Sequence, residues 1–411
     1  MNDTLFAFFT AVAIMLLGFF GVLLFRKTNI PDIIFLIFLG LIIGPYGQLI
    51  RAENIQPVLP YMASLALSIL LFESGMRINL DKILEKGKTL LAPPILSFIL
   101  SVIVISLFAK HALNFRWAYS LMLAAILGGS GSVTLMTLIR KLPLEEEALL
   151  ILTVELALTN VLSVIMALSC LEYINLSMPL SEIVVKLTSK FSTGIITGFG
   201  VGILWLFVVY FLREEEYFYM FTLSTLIGAY SLAEAIGGSG ALASLIFGLV
   251  LGNDEKVASI LGLKISIKEL RPIKELTRRF HSEITFLVRA FFFVLLGLNY
   301  IIEEPMELLL GLTITAMLFT VRYLAVIATT VRSTLTGERR LITCALGRGL
   351  ATAVLGIMPM EYGLKNASLI LSLVVGVLIF SNLVMAIALS TIKEYRLWRQ
   401  KVEVKMGEKT K

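Results

Sequence analysis

Six charged side chains, Glu73, Glu155, Glu234, Arg289, Arg322 and Arg348, fall inside or at the ends of long apolar stretches. A buried charge is expensive unless it is paired or put to use. Glu155 and Arg322 each stand in the middle of such a stretch with nothing local to neutralise them, so pairing with one another is the economical solution. That pair serves either as a structural bridge or as part of an ion path. Thr159 and Asn160 follow Glu155 by four and five residues. Thr159 shares its helix face; Asn160 points elsewhere but still offers an uncharged carbonyl ligand. Glu73 is followed four residues later by Arg77, which reads as a local pair or as a carboxylate at the mouth of a cation path. Arg289 reads as a structural residue whose long stem reaches the interface, and Glu234 as structural.

Other chemistries are excluded early. Two cysteines, Cys170 and Cys344, lie in apolar stretches without a C-x-x-C motif, which argues against a disulfide framework or a zinc site. His111 and His281 are the only histidines and cannot form a multi-histidine metal centre. No nucleophile constellation or nucleotide motif appears, so neither an enzyme nor a cofactor is expected.

The elements that must position these residues follow from composition. Of 411 residues, 58% are hydrophobic and 16% charged, with a mean hydropathy of +0.91. A soluble domain carries roughly 45–50% apolar and about 25% charged residues, so the chain reads as an all-α polytopic membrane protein. Apolar stretches near 20 residues mark thirteen spans, at about 4–25, 31–50, 60–76, 90–109, 117–139, 148–170, 190–212, 217–236, 238–253, 284–302, 306–331, 341–360 and 366–391. Span 1 lacks basic residues before its apolar run and a cleavage site after it, so it is not a signal peptide.

The connections after odd-numbered spans hold about 26 of the 35 Lys and Arg, against about 6 on the other side. The positive-inside rule then predicts a cell-membrane protein with its N-terminus outside and its C-terminus cytoplasmic. The basic stretch 256–279 and the tail 393–411 read as solvated charge at a lipid surface rather than as a nucleic-acid site. The connection 254–283 reads as a short amphipathic piece around Pro272, and no extramembrane segment is long enough for a domain of its own.

Two interior spans carry glycine clusters: Gly128-Gly129-Ser130-Gly131-Ser132 in span 5 and Gly347-Arg348-Gly349 in span 12. Glycines also serve close helix packing, but clusters seven spans apart run in opposite directions through the bilayer. That placement predicts two inverted repeats, spans 1–6 and 8–13, with broken helices crossing near the midplane around Gly129–Ser132 and Gly347–Gly349.

Several stretches together resemble the monovalent cation:proton antiporter superfamily along essentially the whole chain. They are Ile30-Pro31-Asp32 with Gly40 and Gly44-Pro45, Leu71-Phe72-Glu73-Ser74-Gly75, Gly238-Ser239-Gly240-Ala241-Leu242-Ala243 through Asn253, Phe291-Phe292-Phe293 with Gly297-Leu298, and Arg348-Gly349-Leu350. The resemblance implies a homodimer whose protomers have an interface part (about 1–89 and 183–304) and an ion-transporting core (about 90–182 and 305–392). It matches Glu155 and Arg322 to the family's conserved pair, and Glu73 to its span 3 carboxylate. It places the ion site at Glu73, Ser130, Gly131, Glu155, Thr159 and Asn160.

Two departures stand out. The family's span 6 aspartate is Asn160 here, and its span 5 aspartate is Gly131. Asparagine ligates a cation through its carbonyl but exchanges no proton. The resemblance therefore implies Na⁺ or K⁺ exchange for H⁺ by alternating access, with Glu155 or Glu73 taking over the proton; its one-turn spacing from Thr159 favours Glu155. The alternative is a passive cation channel or a transport-silent member of the same fold.

Overall fold

The computed structural model describes residues 12, 14–16, 18–21, 23–24, 31–49, 58–129, 145–176, 179–212, 218–260, 267–300, 304–331 and 334–409, with 88, 180, 209–212, 218, 258, 267–281, 334 and 393–409 described by backbone alone. Each of the thirteen spans contains helix among its described residues, and no strand occurs among them. Among the described residues, six helices are long and apolar enough to cross a membrane, and four shorter apolar helices accompany them. Large apolar side chains such as Phe19, Ile103, Ile196, Leu204, Leu309 and Leu324 lie exposed on the outer helix faces, as a lipid-facing surface requires.

Local sequence explains where the helices start and stop. Pro305 opens span 11 at its first turn (Pro305–Thr330), where a missing N–H costs nothing. Pro45 ends span 2 in a π-turn, Ile42–Tyr46, around a non-helical Gly44. Spans 8 (Phe218–Ala235) and 9 (Gly240–Gly252) separate at the Gly237-Gly238 turn, as expected. The Ser239 side chain then accepts a bond from the Leu242 N–H, and Glu234 Oε1 accepts one from the Gly240 N–H at 2.8 Å. These bonds satisfy orphan donors of the new helix.

Three boundaries differ from the hydropathy reading. Span 7 begins at Leu180, about three turns before its apolar window. Span 10 runs continuously from Ile267 to Leu298, so the amphipathic piece around Pro272 is the first part of that helix, not a separate element. The tail continues span 13 as helix from Ala367 to Lys409.

Packing repeats with the seven-span offset. Span 2 (Asp32–Leu41) packs on span 10, and the equivalent pair, span 9 on span 3 (Leu59–Arg77), packs likewise. Both crossings bring backbone against backbone at glycine. A Cβ on Gly40 or Gly297 would strike the Val294 or Ile37 carbonyl, and one on Gly75 or Gly248 would strike that of Leu245 or Phe72. Only glycine permits such approach. Spans 4 (the membrane part of Leu80–Ala112), 5, 6 (Glu146–Leu176), 11, 12 and 13 form a second group, with span 4 against spans 5 and 11 and span 13 against spans 11 and 12.

Helix is broken off at both glycine clusters. Helix in span 5 (Trp117–Gly128) stops at Gly129, which is extended (φ −63, ψ 131). Span 12 consists of Arg339–Cys344 and Leu350–Glu361, with residues 345–349 non-helical between them. Ser130, Gly131 and Ser132 lie outside the described residues.

Candidate functional site

Spans 2, 3, 6, 10 and the second half of span 12 line a cavity of about 30 Å³, with Glu73, Arg77, Asn160, Thr285, Arg289 and Gly349 among the lining residues. That is room for roughly two water-sized molecules. Glu73 comes from the last turns of span 3, and Asn160 from the middle of span 6. The two residues are far apart in sequence, and the fold brings them to one void.

Arg77 Nη2 donates to Glu73 Oε1 at 2.5 Å, and both side chains keep just under a fifth of their surface exposed. This is a local i,i+4 pair with access to solvent, and it engages only part of the lone-pair capacity of the carboxylate. Arg289 does not reach for the interface as its sequence position suggests. Its Nη2 donates to Asp32 Oδ2 at 2.6 Å, and that aspartate is 2% exposed at the first turn of span 2. Span 10 packs on span 2 and brings Asp32 within ion-pair distance of Arg289.

Glu155 and Arg322 meet in the interior. Arg322 Nη1 and Nη2 each donate to one carboxylate oxygen, the second at 2.9 Å, and Arg322 Nε donates to the Ile342 carbonyl at 2.8 Å. The glutamate is 4% exposed and the arginine 1%. A bidentate, charge-assisted pair of this kind fixes the geometry of both partners. Glu155 is not part of the cavity lining. Thr159 donates its hydroxyl to the Glu155 backbone carbonyl at 2.7 Å, one turn below.

The two broken spans are joined by Arg348. Its guanidinium donates to the Gly128 carbonyl at 3.2 Å and to that of Gly129, the last carbonyls of the span 5 helix. A cation at a helix C-terminus offsets the negative dipole end, so the protein's own arginine occupies the carbonyls that otherwise suit a transported ion. Span 13 holds the break in place: Ser381 accepts from the Arg348 N–H at 3.2 Å, and Asn382 Nδ2 donates to the Arg348 carbonyl at 2.7 Å. Gly347 packs against Met385 and Asn382, with no space for a Cβ.

Three participants escape the sequence reading. Asp32 neutralises Arg289. Ser163, 1% exposed, faces Gly129 with a hydroxyl that has no partner among the described residues. Thr285, 5% exposed, lines the cavity with an unpartnered Oγ1. Helical spacing was the available signal: Ser163 falls four residues after Thr159, and Thr285 four before Arg289, each on the same face.

Known proteins place this architecture. The sodium proton antiporter MjNhaP1 of Methanocaldococcus jannaschii at pH 8 superposes with a TM-score of 0.77 at 20% identity, covering 95% of this chain and all of that one. The likeness is one of fold. The K⁺/H⁺ antiporter NhaP2 of a Shewanella species (strain ANA-3) is 24% identical over 387 residues, 89% of this chain and 62% of that protein. The Na⁺/H⁺ antiporter NhaS2 of a Synechocystis strain is 24% identical over 245 residues, 59% of this chain and 44% of that protein. The chain thus spans about three fifths of the length of the NhaP2 relatives it matches. Residues 12–394, nearly every membrane span described above, match the transmembrane family of sodium/hydrogen exchangers, and the chain belongs to that family.

Proposed function

We propose that this multi-pass membrane protein exchanges a monovalent cation, Na⁺ or K⁺, for H⁺ across the cell membrane by alternating access. The observation that carries the reading is the cavity shared by Glu73 and Asn160. Asn160 supplies a neutral oxygen and Glu73 supplies the charge that cation and proton compete for. When Glu73 is ionised, a cation sits between its carboxylate and the Asn160 carbonyl; when it is protonated, the cation leaves. The geometry supports Glu73 over Glu155 in this role, since Glu155 has both oxygens held by Arg322 away from the void.

The charge asymmetry supports an external N-terminus and a cytoplasmic C-terminus, so the Arg77 end of the cavity opens to the cytoplasm. Residues 1–89 and 183–304 form the interface part of a homodimer. Residues 90–182 and 305–392 form the moving core, with Arg348 tying its two broken helices into one body.

The test is reconstitution in liposomes with an imposed pH gradient, adding Na⁺, K⁺ or Li⁺ while lumenal pH is read. Cation-dependent proton movement that disappears in Glu73→Gln supports the proposal. Cation flux without any proton movement puts a passive channel in its place.

A further inference from the structure

Hydroxyls of most intramembrane threonines in this protein follow one habit. Thr153, Thr159, Thr197, Thr315 and Thr330 each donate to the backbone carbonyl four residues earlier, at 2.6–2.8 Å. That bond satisfies the hydroxyl within its own helix. Thr285 lies inside the continuous helix of span 10 and breaks the habit: its Oγ1 is buried and has no partner among the described residues; the Thr222 and Thr343 hydroxyls also lack one, but Thr285 is the one of the three that lines the cavity. A buried, unsatisfied hydroxyl is costly, and the cavity it lines is the one that holds Glu73 and Asn160.

Three different spans therefore bring an oxygen-bearing residue to the lining of one small void: Glu73 from span 3, Asn160 from span 6 and Thr285 from span 10. A dehydrated alkali cation needs several such oxygens to replace its water shell. The neighbouring positive charges are already compensated, Arg289 by Asp32 at 2.6 Å and Arg77 by Glu73 at 2.5 Å. The void is thus not closed to a cation by uncompensated arginine.

We infer that the Thr285 hydroxyl is a third ligand oxygen for the transported cation and sets its preference between Na⁺ and K⁺. The inference rests on the reading of this cavity as the transport site. It adds a ligand from span 10, on the interface side, to the Asn160 ligand from the core. Movement of the core then takes Asn160 away from Thr285 and Glu73, so the full ligand set exists in only one conformation.

The experiment compares Thr285→Val, Thr285→Ser and Glu73→Gln with the unaltered full chain in liposomes, measuring KM and maximal rate for Na⁺ and for K⁺ under a fixed pH gradient. Thr285→Val is isosteric and removes only the hydroxyl. It is expected to keep the unaltered melting temperature and a maximal rate within about twofold, while the loss of one ligand bond raises KM about tenfold and changes the Na⁺ to K⁺ ratio. Thr285→Ser keeps the hydroxyl and is expected to match the unaltered protein. Unchanged KM values in Thr285→Val, with Glu73→Gln inactive, overturn this inference and leave the transport site standing. Normal exchange in Glu73→Gln overturns both. A Thr285→Val protein that fails to fold, or a Thr285→Ser protein that behaves like Thr285→Val, assigns the residue to packing and overturns the inference as well.

Discussion

Arg322→Ala removes one half of a pair whose other half stays behind in the interior. The guanidinium is 1% exposed, meets both oxygens of Glu155 and also holds the Ile342 carbonyl of span 12. Breaking a buried pair on one side costs about 3–5 kcal/mol. Unfolding entropy of about 2.1 cal/mol/K per residue gives roughly 0.9 kcal/mol per degree for a chain of this length, so the expected loss is about 4–6 °C in melting temperature. Arg77→Ala is the internal reference. Its pair is local and nearly a fifth exposed, a class worth about 0–1 kcal/mol, or about 1 °C. The assay is thermal unfolding in detergent, with a third protein carrying Glu155→Gln and Arg322→Met together. Removing both charges leaves none stranded, so the double variant is expected to recover most of the loss. Equal losses for Arg322→Ala and Arg77→Ala, or a double variant less stable than Arg322→Ala, refute the pairing argument.

Two further outcomes follow from the same geometry. Asp32→Asn strands Arg289 between spans 2 and 10 and is expected to lower the melting temperature by several times the Arg77→Ala effect, measured in the same detergent series. Asn160→Asp adds a second titratable group to the cavity and is expected to raise apparent cation affinity and change the charge moved per cycle, read as membrane current in proteoliposomes.

Much of the fold was legible because the bilayer imposes simple rules. Span length, the sign of the connections and the cost of an isolated charge together led to thirteen helices and to Glu155 with Arg322. Helix ends outside the apolar windows were harder. The charged turns before residue 284 and the polar turns after Leu180 continue their helices, yet hydropathy registers only the membrane portion. Arg348 was visible as an intramembrane charge, but its partners, the carbonyls of Gly128 and Gly129, are main-chain groups that leave no mark in residue type. Asp32 read as part of a helix start, because nothing in its own neighbourhood reveals that span 10 packs against it. Thr285 was the least legible of all. A threonine in a helix ordinarily bonds to its own backbone, and only the three-dimensional arrangement shows that this one does not.

The most direct test of the central claim is the proton moved per added cation in liposomes, compared between Glu73→Gln and the double variant Glu155→Gln with Arg322→Met. The cavity geometry predicts that Glu73→Gln loses cation-dependent proton movement while the double variant retains it with an unaltered pH profile. Normal exchange in Glu73→Gln, or loss of pH dependence confined to the double variant, contradicts it and returns the exchanging carboxylate to Glu155.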